Sequence, residues 1–148
     1  MSLQERLSED LKDAMRQKDE TRRSTIRFIR AAVQNQEIDK REALSDDEII
    51  GVLSRLVRQH QESIVEFKKA DRHDLVGKEE AELRIIREYM PEQISEEDLA
   101  QLAREAISQT GASGPSDMGK VMGILMPQVR GRADGSQVSS VVRKLLSA

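Results

Sequence analysis

Ser45-Asp-Asp-Glu-Ile-Ile-Gly-Val-Leu-Ser-Arg-Leu-Val-Arg-Gln-His-Gln-Glu-Ser-Ile-Val-Glu-Phe67 decides the fold class of this chain. Ile49, Val52, Leu53, Leu56, His60, Ile64 and Phe67 recur at steps of three and four, the period of one face of an α-helix. Ser45 and Glu48 stand at capping-box spacing, the hydroxyl and the carboxylate each reaching a backbone N–H that the first turn leaves without a partner. The spacing predicts one helix of roughly 24 residues.

The same reading extends in both directions. Upstream, Ser2 and Glu5 repeat the capping box, and Leu3, Leu7, Leu11, Ala14 and Met15 form a stripe. Lys18-Asp-Glu20 is a polar turn. A second helix is expected from about Glu20 to about Arg41, with Ile26, Ile29, Val33 and Ile38 inward. Only a few residues separate it from Ser45, so these two helices are expected to form an antiparallel hairpin. Downstream, Ala70-Asp-Arg-His-Asp74 is a polar break. A fourth helix then turns Leu75, Val76, Leu83, Ile86 and Met90 inward, with Asp74 as its N-cap and Arg72 paired with a carboxylate. Pro91 ends it, since proline lacks the N–H and disfavours helix at the residue before it.

Past Pro91 the composition changes. Gly111, Gly114, Gly119, Gly123, Gly131 and Gly135, six of the eight glycines, fall between residues 111 and 135, together with Pro115 and Pro127. Ser95 with Asp98 caps a fifth helix that carries Leu99, Leu102, Ala103, Ala106 and Ile107 and stops at Gly111. A sixth is expected from about Ser116 to Met126, capped by Ser116 or Asp117 and closed by Pro127. In it Gly119 and Gly123 have the small-xxx-small spacing that lets a neighbouring helix approach, and Met118, Met122 and Met126 would line a core beside Val121 and Leu125. A seventh runs from about Ser136 to Leu146, with Val138, Val141, Val142 and Leu145 inward. No period-2 strand pattern occurs. The expected fold is all-α, with an N-terminal domain of about four long helices over residues 1–93 and a small three-helix domain over 94–148.

Composition excludes several function classes. Cysteine is absent, so disulfides, thiolate zinc sites and thiol catalysis are excluded, which fits a reducing compartment without proving one. The N-terminus is charged within its first residues and has no apolar h-region, and no run approaches a membrane span, so no membrane partner is expected. Phe28, Phe67 and Tyr89 are the only aromatics, which makes the core aliphatic. Gly114 to Val121 has the glycine and lysine spacing of a phosphate-binding loop, but Val121 stands where the magnesium-holding hydroxyl belongs and no strand precedes it. His60 and His73 are not spaced as ligands on adjacent turns, so no metal is assigned, and no cofactor. Arg72, His73 and Asp74 are acid–base residue types, but no serine or threonine nucleophile has an evident partner, so no catalytic residue is assigned.

Charge singles out the tail. The chain has a net charge of −3. From Gly111 onward Lys120, Arg130, Arg132, Arg143 and Lys144 face only Asp117 and Asp134, a local balance of +3 (5 − 2) that leaves −6 for the rest. Gly131-Arg-Ala-Asp-Gly135 joins the last two helices and sets guanidinium groups beside backbone N–H groups, an arrangement that suits an anion; ordinary loop solvation explains it equally. The candidate nucleic-acid-binding residues are Lys120, Arg130, Gly131, Arg132, Arg143 and Lys144. No nearby aromatic is available to stack on a base, which disfavours single-strand recognition by stacking.

Four segments together resemble a known family. Glu66-Phe-Lys-Lys-Ala-Asp-Arg-His-Asp-Leu-Val-Gly-Lys-Glu79, Tyr89-Met-Pro-Glu-Gln-Ile94, Asp117-Met-Gly-Lys-Val-Met-Gly123 and Arg130-Gly-Arg-Ala-Asp-Gly135 resemble, in this order and over the whole length, the bacterial YqeY-like proteins of the GatB/YqeY family. Met90 and Ile94 stand where leucines are expected, and Arg130 and Arg132 where lysines are frequent. The resemblance implies a two-domain all-helical fold whose C-terminal part is similar to the tail of GatB, the B subunit of the tRNA-dependent glutamine amidotransferases, where the tail helps hold tRNA. The catalytic domains of those enzymes have no counterpart here. The resemblance therefore implies a non-catalytic, cytoplasmic protein that binds tRNA or a tRNA-handling enzyme. Its alternatives are a protein-interaction adaptor without RNA contact and an accessory component of a carbon–nitrogen ligase with glutamine as amido donor.

Overall fold

Helix-forming segments with strong caps account for most of the chain. The computed structural model describes residues 1–147, in which seven α-helices and one 3-10 turn occur and no strand. The chain divides into two compact units, Met1–Met90 and the residues from Pro91 onward.

The first unit holds α1 (Leu3–Arg16), α2 (Glu20–Lys40), α3 (Asp46–Lys69) and α4 (His73–Glu88). Both capping boxes form, Ser2 with Glu5 and Ser45 with Glu48. Ile26, Ile29, Ile49, Leu53 and Ile86 are completely buried at its centre. Each such side chain contributes about 1.5–3 kcal/mol relative to exposure. The foremost helical hairpin is α3–α4 rather than α2–α3. Asp71, with φ 58, takes the left-handed conformation and lets the chain reverse within three residues, so α4 lies back along α3.

Three expectations are corrected in this unit. Asp74 does not cap α4: the cap position falls on Arg72, without a side-chain bond, because the Asp71 turn starts the helix at His73. Asp74 sits in the first turn and accepts both Nε (3.2 Å) and Nη2 (3.1 Å) of Arg72. Ile38 is 72% exposed, because the end of α2 beyond Val33 has no apolar surface to pack on. Met15 is likewise half exposed. Tyr89, just past the end of α4, is buried. Its hydroxyl donates to Asp10 Oδ2 at 2.5 Å, and the Arg6 guanidinium lies 4.5 Å from its ring centre.

The second unit holds α5 (Glu96–Thr110), a 3-10 turn (Pro115–Asp117), α6 (Met118–Val129) and α7 (Gly135–Ser147). Ser95 caps α5, and Gly111, at φ 68, ends it. Leu99, Val121, Leu125, Val129, Val138 and Val142 form the fully buried core. Pro127 does not close α6, which continues to Val129. Proline removes an N–H and its ring crowds the carbonyl four residues back, and burial of Val129 on the far side works against that cost. Neither Ser116 nor Asp117 caps α6 through its side chain; Ser116 lies in the 3-10 turn, and the Asp117 carboxylate instead accepts the Ser113 N–H at 3.0 Å. Met118, Met122 and Met126 are only half-buried and border the core that Val121, Leu125 and Val129 fill. Gly119 and Gly123 leave open space on their outer side: a Cβ on either would meet nothing within 4 Å, so no helix among the described residues approaches them closely.

Candidate functional site

The α6–α7 turn is built from two demands of the local sequence. Gly131 takes φ 76, a conformation that costs a residue with a Cβ about 1–2 kcal/mol. The segment that leads into α5 is stitched to this turn. The Ile94 N–H donates to the Arg132 carbonyl at 2.9 Å, Gln93 Nε2 donates to the Gly131 carbonyl at 3.0 Å, and Arg132 Nε donates to the Glu92 carbonyl at 3.2 Å. These bonds, with Ile94 buried beneath them, form a strap across residues 92–94 and 131–132.

The strap sorts the six candidate residues. Gly131 is buried and its carbonyl is engaged, so it shapes the turn and offers nothing to a ligand. Arg132 is half-buried and commits its Nε to the Glu92 carbonyl. Lys120 lies 3.8 Å from Asp117. The Asp117 carboxyl is held below the usual carboxylate range, first by the Ser113 N–H and then by the Lys120 charge. Arg130, Arg143 and Lys144 are exposed, with no side-chain partner among the described residues. Lys120 and Arg130 are ten residues apart along α6, about 15 Å at helical rise, and Gly135 and Lys144 are about 14 Å apart along α7. Along the chain, Lys120 thus stands in the first turn of α6, Arg130 just past its end, and Arg143 and Lys144 side by side near the end of α7. At the start of α7 the Asp134 carbonyl accepts the Val138 N–H at 3.0 Å, the first helical bond, and the Asp134 carboxylate accepts the Ser136 hydroxyl at 3.0 Å.

A second polar constellation lies in the first unit. His60, on the apolar face of α3 and 5% exposed, places Nε2 3.0 Å from Glu82 Oε2 and 3.6 Å from Glu79 Oε2, both on α4. Its Nδ1 lies 2.9 Å from the Leu56 carbonyl. The three residues border a cleft of about 400 Å³ that Ser24, Phe28, Gln59, Ser63 and Lys78 also line. His73 takes no part in it; its Nε2 is 2.7 Å from Asp71 at the exposed corner. Histidine spacing alone pointed away from this cluster, because the partners of His60 are glutamates. A usable signal existed: in a hairpin that turns at Asp71, His60 and Glu82 are equidistant from the corner, eleven residues on either side.

Similarity to known proteins agrees with this architecture. The family model described as "Yqey-like protein" matches residues 4–146. A protein of the fungus Pyrenophora tritici-repentis, "Altered inheritance of mitochondria protein 41, mitochondrial", is 32% identical over 146 residues, 97% of this chain and 80% of that protein. Proteins of the same description from Eremothecium gossypii and Saccharomyces cerevisiae (strain YJM789) are 45% and 40% identical over 85 residues, 57% of this chain and 46% of theirs. Against these last two the match spans less than half of the relative. The names of these relatives give no catalytic role. They do overturn the expectation of a bacterial, cytoplasmic protein, since these relatives are fungal and named as mitochondrial.

Proposed function

The chain belongs to the YqeY-like family, and on that premise we propose that it is a non-catalytic binding protein whose second unit holds the phosphate backbone of structured RNA, tRNA first. The carrying observation is the set Arg130, Arg143 and Lys144: exposed, without side-chain partners among the described residues, one at the end of α6 and two in the last turns of α7. A small anion needs converging donors, whereas a nucleic-acid backbone is a row of charges that separated cations can follow. What the sequence resemblance implies for the tail, a likeness to that of GatB, favours the same substrate. Two compact units with separate cores support a division of labour between two domains, the second being the RNA-facing one. On this reading any link to glutamine-dependent amidotransfer is through association with a catalytic partner.

The test is binding of the full chain to tRNA across a salt series. Neutralising about three phosphates gives a log–log slope of roughly −2 to −3. Arg130→Ala, Arg143→Ala and Lys144→Ala together flatten that slope by about one unit for each phosphate no longer neutralised, and leave the fold intact. Arg132 is left in place because its guanidinium holds the strap. Unchanged affinity and slope in the triple variant would refute the RNA reading and leave a protein-binding adaptor in its place.

A further inference from the structure

We infer that His60, Glu79 and Glu82 form a divalent transition-metal site of the zinc class in the first unit. The inference is independent of the RNA reading, which concerns other residues.

The imidazole sets the chemistry. Its Nδ1 faces the Leu56 carbonyl at 2.9 Å, and a carbonyl can only accept, so Nδ1 carries the hydrogen. Nε2 then presents a lone pair, or a second proton, toward Glu82 at 3.0 Å and Glu79 at 3.6 Å. Ionised carboxylates are acceptors only, so a bare lone pair there would oppose two negative oxygens. A cation bound between them would remove that opposition. An Nδ1–H held by a backbone carbonyl is also the arrangement that orients histidines bound to metal through Nε2.

The geometry suits a metal. With metal–ligand bonds of about 2.0–2.2 Å, ligand atoms around a tetrahedral centre lie about 3.3–3.5 Å apart. The two nitrogen–oxygen separations bracket this value, and all three ligand atoms lie within 4.8 Å of one another. Glu79 and Glu82 are three residues apart on α4 and so share a face, and their side chains are about one-fifth exposed, which leaves them free to close on an ion. Lys78 also lines the cleft, yet it makes no ion pair with either carboxylate among the described residues. One imidazole and two carboxylates select a zinc-class ion over magnesium, which prefers an all-oxygen shell. Three protein ligands leave further coordination positions on the cleft side for water or another small ligand.

The experiment is calorimetric titration of the full chain with Zn²⁺, repeated in excess Mg²⁺. One saturable equivalent of Zn²⁺ is expected, with Mg²⁺ unable to displace it. Glu79→Gln and Glu82→Gln each weaken binding about tenfold or more, since even loss of a residue that only orients a ligand costs 10–100-fold. His73→Gln leaves binding unchanged. Thermal melts of each variant establish that it is folded; should Glu82→Gln unfold, the more loosely held Glu79→Gln carries the test. Absence of a stoichiometric site, or a site lost in His73→Gln and kept in folded Glu79→Gln, would overturn the inference and leave the triad as a hydrogen-bonded cluster without a metal.

Discussion

Alanine at position 123 should stabilise this protein. Gly123 lies in the middle of α6, is exposed, and has open space where a Cβ would stand. Glycine inside a helix costs about 0.8–1.0 kcal/mol relative to alanine, mostly through the freedom of the unfolded chain. With no clash to set against it, Gly123→Ala gains about that full amount. Gly119→Ala gains less, because Gly119 is in the first turn, where fewer helical bonds depend on it. Gly111→Ala is the control of opposite sign: at φ 68 a Cβ costs about 1–2 kcal/mol. Urea denaturation followed by circular dichroism measures all three. The thermal shift adds information on cooperativity. If the second unit melts by itself, 1 kcal/mol moves its midpoint by roughly 4–8 °C, and if the whole chain melts as one, by roughly half as much. A destabilised Gly123→Ala would refute the reasoning and mean that something packs against this face. If the variant is stabilised but loses its partner in cells, the glycine is kept for that partner's approach.

Two further outcomes follow from the same structure. The Glu48 carboxyl is held at about 2, against an ordinary 4.5, first by the Lys40 ammonium and then by the Ser45 N–H. A depressed folded value contributes stability above pH 4.5 that is lost as pH falls from 4.5 towards 2, so Glu48→Gln should flatten the acid limb of the stability curve in that window; an unaltered limb would argue that the pair is not maintained in solution. A fragment beginning at Pro91 should fold cooperatively, whereas one beginning at Ser95, which lacks buried Ile94 and the bonds of residues 92–94, should be weaker by about 3 kcal/mol; equal melts would show that the strap adds nothing.

The all-α fold was legible because its signals are local. The capping boxes at Ser2 and Ser45, the stripe from Ile49 to Ile64 and the glycine stop at Gly111 each depend on residues within one or two turns. What the sequence hid was tertiary. Pro127 reads as a stop, but burial of Val129 carries the helix past it. Gly119 and Gly123 read as a packing seam, yet whether a helix lies across them depends on where α5 and α7 dock. Arg132 reads as a free cation, and only a carbonyl forty residues earlier shows that its Nε is engaged. The His60 cluster was hidden for the same reason, since two helices must lie in register before its ligands meet.

The strap has a mechanical consequence. Chain arriving from the first unit reaches its first anchors in the second at Glu92, Gln93 and Ile94, whose hydrogen bonds run to a turn about forty residues further on. A pull on the N-terminal side of Pro91 would therefore load the α6–α7 turn before it loads α5. Tension would be delivered to the backbone between Arg130 and Arg132, so a force too small to unfold any helix could still change the presentation of that turn.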